Sequence, residues 1–107
     1  MGIFHFSKHQ DINQGIYEYL RHQDAKLLDV RTPAEYIQGH IPGSLNVPLH
    51  NLEEVEFLVD RKDRPLYLYC QSGNRSRMAA MELQEMGYAN VYNIGGIAAY
   101  EGSVEYS

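Results

Sequence analysis

Apolar residues along this chain fall into short continuous runs that alternate with stretches of helical spacing. Residues 3–6 are mostly apolar and predict a short first strand. Residues 11–21 set Ile12, Ile16, Tyr19 and Leu20 on one face of a helix. "KLLDV", residues 26–30, reads as a buried strand. "RTPAEYIQG" then predicts a sharply started helix: Thr32 suits the N-cap, Pro33 the first helical position, and Glu35 the position three after the cap. Gly39 is placed to end it. "SLNVPL", residues 44–49, predicts another strand, stopped by Pro48, and Asn51 with Glu54 makes a second cap-like pair before "LEEVEFLV". "PLYLYC", residues 65–70, alternates cleanly: Leu66, Leu68 and Cys70 share one face, Tyr67 and Tyr69 the other. A helix is expected over residues 77–86, with Ala79, Leu83 and Met86 on one side and Gly87 just past its end. "NVYNI", residues 90–94, predicts a last strand, and "GGIAAYEG" a turn and a short helix.

Strands separated by helices need crossover connections, so the pattern predicts an α/β fold with a mainly parallel sheet and helices on both faces. Such sheets place their ligands beyond the carboxyl ends of the strands. Cys70 stands at the carboxyl end of the clearest strand.

Composition narrows the function. A length of 107 residues predicts one small domain over 1–107. The net charge of −5 disfavours nucleic acid as a partner, because phosphate contacts need clustered Lys and Arg. No apolar run approaches the ~18 residues of a membrane span, and the N-terminus lacks the pattern of a signal peptide. The single cysteine asks for no oxidising compartment. These features predict a cytoplasmic protein without a membrane partner. The five histidines lack metal-ligand spacing, so no metal is expected.

The loop "CQSGNRS" carries the candidate chemistry. Gly73 can take a positive φ and let the backbone curl, so that successive N–H groups converge on an anion. The next helix adds the unpaired donors of its first turn. Ser72 and Ser76 can donate from their hydroxyls, and Arg75 brings a permanent positive charge. The anion would be the Cys70 thiolate. A free thiol ionises near pH ~8.5, and each tenfold gain in thiolate takes about 1.4 kcal/mol. A helix dipole supplies ~0.3–1 kcal/mol. The loop N–H groups, with Arg75 nearby, must then supply the larger share. The residues alone leave a second reading open, a buried structural thiol at a strand end.

This loop resembles the active-site loop of the rhodanese family of sulfurtransferases. So does "DVRTPAEYIQGHIPGSLNVP", residues 29–48, with its Asp-Val-Arg, Glu-Tyr, Gly-His-Ile, Gly and Asn in order. Gly95, Gly96 and Ile97 are similar to a third landmark of that family. The resemblance implies a rhodanese-like fold with a five-stranded, mainly parallel sheet. It implies transfer of a sulfane sulfur through a persulfide on Cys70, with Gln71, Ser72, Gly73, Asn74, Arg75 and Ser76 around the substrate and with neither a metal nor an organic cofactor required. The donor would be thiosulfate or a persulfide, and the acceptor cyanide, a thiol or a partner protein. With no second cysteine, no internal thiol can resolve the persulfide. Phosphatases and arsenate reductases of this fold place five residues between Cys and Arg; here four residues lie between Cys70 and Arg75, which suits sulfur. A non-catalytic rhodanese-like binding or regulatory module is the alternative.

Other polar residues read as support. Asp29, Arg31, Glu35 and His40 are expected to hold the neighbouring loops, with Asp29 accepting from backbone N–H groups and Arg31 pairing with Glu35. Arg77 is expected to be exposed, with attraction of anions as its lesser reading, and Tyr100 to serve packing first and a pocket wall second. Tyr100 stands where many members have Trp and Ser44 where Ala is common, both read as packing changes.

Overall fold

The computed structural model of the chain describes residues 11–107. The strand expected at residues 3–6 lies outside them. Helix α1, Ile12–Leu20, starts where Asp11 accepts from the backbone N–H groups of Asn13 and Gln14. Strand β1 is Lys26–Asp29, and helix α2 is Pro33–Ile37. The α2 start is the expected capping box: Thr32 accepts from Glu35 N, while the Glu35 carboxylate accepts from Thr32 N. Strand β2 is only Ser44–Asn46. A 3-10 segment, Leu49–Glu54, follows and leads into α3, Val55–Leu58. Strand β3 is Leu66–Cys70, α4 is Asn74–Glu85, β4 is Val91–Gly96, and a final 3-10 turn is Ile97–Ala99.

Among the described residues the sheet has four strands rather than five, in the order β2-β1-β3-β4, all paired in parallel. All five β3 residues are buried, and their alternation divides the core in two. Leu66, Leu68 and Cys70 join Val55 of α3 and Ala79 and Leu83 of α4 on one face. Tyr67 and Tyr69 join Ile12 and Ile16 of α1 on the other. Both faces are therefore covered by helix, as a parallel sheet requires.

Besides the shorter β2, which ends at Asn46 rather than at 49, three boundaries differ from the expected ones. Helix α4 begins at Asn74, three residues before 77, because Gly73 at φ +103 turns the chain at once. Asn74, Arg75 and Ser76 are thus its first turn. Strand β4 runs on through Gly95 and Gly96, which pair with Tyr69 and Cys70 instead of forming a turn. The Asn51–Glu54 cap does not form: Asn51 lies inside the 3-10 segment with non-helical dihedrals, and α3 has no side-chain cap. Proline at 48 starts that segment early and uses up the residues a longer helix would need.

Ser44 does more than fill space. Its hydroxyl donates to the Ile41 carbonyl at 2.7 Å and meets the Tyr69 hydroxyl at 3.1 Å. The Tyr69 oxygen in turn accepts from Ile41 N at 3.0 Å. A buried tyrosine needs such a partner, and here it ties β3 to the turn that precedes β2. Tyr100 packs against the α1 side of the core.

Candidate active site

Strand β3 carries Cys70 to the carboxyl edge of the sheet, and Gly73 bends the chain back over it. The thiol sulfur sits beneath the resulting arch, with the residue only 1 % exposed. Gly73 N donates to Sγ at 3.0 Å, Ser76 N at 3.3 Å, and the Ser76 hydroxyl lies 3.4 Å away. Burial pushes the thiol pKa up. The Ser76 hydroxyl and the N–H groups of Ser76, Gly73 and Ser72 outweigh it, so that the pKa falls below the ordinary thiol value. The N–H groups among those donors stabilise a charge on sulfur because they are fixed before the charge appears.

The strand next door sets the height of the arch. The Gly96 position faces the loop so closely that a Cβ there would collide with the Gln71 carbonyl oxygen and stand 2.6 Å from Ser72 Cα. Ala98 N donates to that same Gln71 carbonyl at 3.2 Å. The Gly-Gly pair therefore lets the end of β4 support the loop from below.

Arg75 is placed differently from expectation. Its guanidinium turns away to α2 and makes a two-pronged pair with Glu35, Nη1 to Oε1 at 2.8 Å and Nη2 to Oε2 at 3.0 Å. The Arg75 hydrogen bond is the main reason the Glu35 carboxyl is held down at about 2, with Thr32 adding to it against a burial penalty. The expected Arg31–Glu35 pair is thereby replaced. Arg31 instead pairs with Asp29, Nη2 to Oδ2 at 2.7 Å, both nearly sealed from solvent. It also donates to the Gly39 carbonyl at 2.7 Å and reaches Gln71 Oε1 at 3.4 Å. Burial disfavours the Arg31 charge, and Asp29 more than compensates. Asp29 accepts from Arg31 N at 2.9 Å, as a scaffold residue at a strand end should. His40 is buried, stacked on Tyr36 with ring centroids 3.7 Å apart, and its backbone pairs with Glu105.

The loop residues thus divide. Gly73 and Ser76 touch the sulfur. Gln71, Ser72 and Asn74 are exposed around the mouth, as is Arg77. Arg75 fastens the helix start to α2. Two asparagines have roles that neither the strand pattern nor, for Asn46, the motif it belongs to assigns. Asn46 Nδ2 donates to the carbonyls of Asp29 and Arg31 at 3.0 and 2.9 Å. Asn93 bonds to both Ser76 and Gly73. The signal available for each was an amide within a segment of strand-like pattern.

Chemically, the arrangement is a thiol sulfur in a ring of neutral donors, with Arg31 and Arg75 already paired to carboxylates. A family model described as a rhodanese-like domain matches residues 14–103. A sulfurtransferase of Allochromatium vinosum is 44 % identical over 79 residues, covering 73 % of this chain and 73 % of that one. The thiosulfate sulfurtransferase PspE of Escherichia coli is 39 % identical over 71 residues, covering 65 % of this chain and 68 % of that one. Among solved structures, a rhodanese with anions from E. coli superposes with a TM-score of 0.73 at 33 % identity, over 78 % of this chain and 99 % of that chain.

Proposed function

The chain belongs to the rhodanese-like domain family, and on that premise we propose that it is a sulfurtransferase carrying a sulfane sulfur on Cys70. The observation that supports this reading most directly is the convergence of Gly73 N, Ser76 N and the Ser76 hydroxyl on Sγ. The Cys70 thiolate attacks the outer sulfur of a donor such as thiosulfate or an alkyl persulfide. One S–S bond forms, the donor's own S–S bond breaks, and its electron pair leaves on sulfite or on the donor thiolate. The product, Cys70–S–S⁻, carries its charge on the outer sulfur, inside the curve of residues 71–76. An acceptor, cyanide or an external thiolate, then takes that sulfur and returns the Cys70 thiolate.

In this reading Cys70 is the catalytic residue. Gln71, Ser72, Gly73, Asn74 and Ser76 line the substrate, and Arg75 holds the loop in shape through Glu35. A cytoplasmic setting, in which a lone thiol stays reduced, belongs to the same proposal. Among the described residues no helix is long and apolar enough to cross a membrane.

The test is intact mass spectrometry after incubation with thiosulfate and, separately, with an alkyl persulfide. The wild-type protein is expected to gain the mass of one sulfur, lose it to cyanide with release of thiocyanate, and do neither as Cys70→Ser. A protein that gains no sulfur from either donor would leave the family's fold here as a binding module.

A further inference from the structure

We propose that Asn93 is a positioning residue for Cys70, because it determines which acceptor receives the single hydroxyl proton of Ser76. The Ser76 oxygen has three acceptors in reach: Asn93 Oδ1 at 2.6 Å, the Gly73 carbonyl at 3.2 Å and Cys70 Sγ at 3.4 Å. One proton serves only one of them well. The orientation of the Asn93 amide is not free. Its Oδ1 accepts from Gly95 N at 3.0 Å, and its Nδ2 donates to the Gly73 carbonyl at 3.2 Å. Turning the amide over would set an NH₂ against an N–H and an oxygen against a carbonyl. Asn93 therefore presents an acceptor to Ser76 at the shortest of the three distances.

The backbone places Asn93 there by a bulge. Leu68 pairs with Asn93, but the next residue, Tyr69, pairs with Gly95, so Ile94 is an extra residue in β4. Bulges of this kind re-aim a neighbouring side chain. Here the amide reaches across the end of the sheet to the first turn of α4.

Two hydrogen-bond states follow. With a neutral thiol, Ser76 donates to Asn93 Oδ1, and its oxygen lone pairs are free to accept the Cys70 S–H. When that proton leaves to solvent, the Ser76 hydroxyl rotates and donates to the thiolate. Asn93 Oδ1 keeps Gly95 N–H and is not left unpaired. Once a sulfur has been taken up, Sγ is neutral again and the hydroxyl returns to Asn93. The Ser76 proton thus follows the charge on Sγ, and Asn93 is the resting place that competes with it. The bearing of this on sulfur transfer rests on the function proposed above.

The experiment is a double-mutant cycle read as the pH profile of Cys70 alkylation by iodoacetamide, which needs no sulfur donor. Asn93→Leu removes the competing acceptor at nearly constant size. It is expected to move the midpoint to lower pH and to raise the neutral-pH rate several-fold in the wild-type background, and to leave the midpoint unmoved in the Ser76→Ala background. Asn93→Asp, which keeps Oδ1 and strengthens it as an acceptor, is expected to move the midpoint to higher pH, by more in the wild-type background than in Ser76→Ala, where only its added charge acts. The native charged groups nearby, Asp29 and Arg31 after β1, Glu35 on α2 and Arg75 on α4, are the same in every variant. An Asn93→Leu shift of equal size in the Ser76→Ala background, or none in either, would overturn the proposal; so would an Asn93→Asp shift of equal size in both backgrounds, should the Leu variant fail to fold. Absence of sulfur uptake by the wild type would count against the proposed function alone.

Discussion

Arg75 and Glu35 clasp the start of α4 to the start of α2 through two parallel hydrogen bonds of 2.8 and 3.0 Å. The same carboxylate completes the capping box with Thr32. Glu35→Gln is expected to cost about 1 kcal/mol at neutral pH, the sum expected of a half-exposed pair and part of a helix cap. Because the folded carboxyl is held down at about 2 from an ordinary 4.5, its stabilisation is complete above pH 4.5 and disappears as pH falls toward 2. Urea unfolding of the two proteins across that range should show their difference shrinking to nothing.

Ser76 supplies Cys70 with a hydroxyl as well as an N–H. Ser76→Ala removes the first and keeps the second. The alkylation midpoint of Cys70 is expected to move to higher pH, and sulfur loading at neutral pH to slow with it, while the urea midpoint changes little. A midpoint that stays in place would mean that the backbone donors alone stabilise the thiolate.

Tyr69→Phe removes the partner of a buried backbone N–H, that of Ile41. An unsatisfied buried donor costs about 1–3 kcal/mol. Ser44→Ala is expected to cost less, because the Ile41 carbonyl and the Tyr69 hydroxyl each lose only one contact from a group that can re-orient. Equilibrium unfolding of the two variants should rank them in that order.

Gly96→Ala puts a methyl group into the Gln71 carbonyl. Backbone, rather than a side-chain tip, must then yield, at a cost of about 1–3 kcal/mol. The loop donors would be displaced with it, so sulfur loading should fall even at temperatures where the variant is fully folded. Single-turnover loading measured alongside thermal unfolding separates the two effects.

Much of this was legible in the pattern of residues. The alternation in "LYLYC" placed Cys70 with the leucines and the tyrosines on the opposite face, and burial divides them in that way. Thr32, Pro33 and Glu35 predicted the α2 start correctly, since a capping box is a local arrangement. What escaped prediction is non-local. The sequence paired Arg31 with Glu35 and set Arg75 beside the thiolate, and only the approach of the two helix starts in the fold decides that Glu35 takes Arg75 while Asp29 takes Arg31. The α4 start was misplaced because polar Asn74, Arg75 and Ser76 look like loop, although Gly73 had already turned the chain into helix. Asn93 was hidden for a related reason: its importance depends on an extra residue in β4, and a register shift leaves no mark on the sequence.

The depth of Cys70 governs traffic at the loop. An S–S bond is about 2.05 Å long, so on the proposed mechanism the transferred sulfur lies one bond farther out than a thiol that is itself 1 % exposed. On that mechanism the empty protein conceals its nucleophile, and the loaded protein holds its cargo nearer the opening. Donors would have to be narrow enough to reach inward, whereas acceptors would meet the sulfur nearer the surface and could be larger. Entry and delivery would then have different size limits at a single opening.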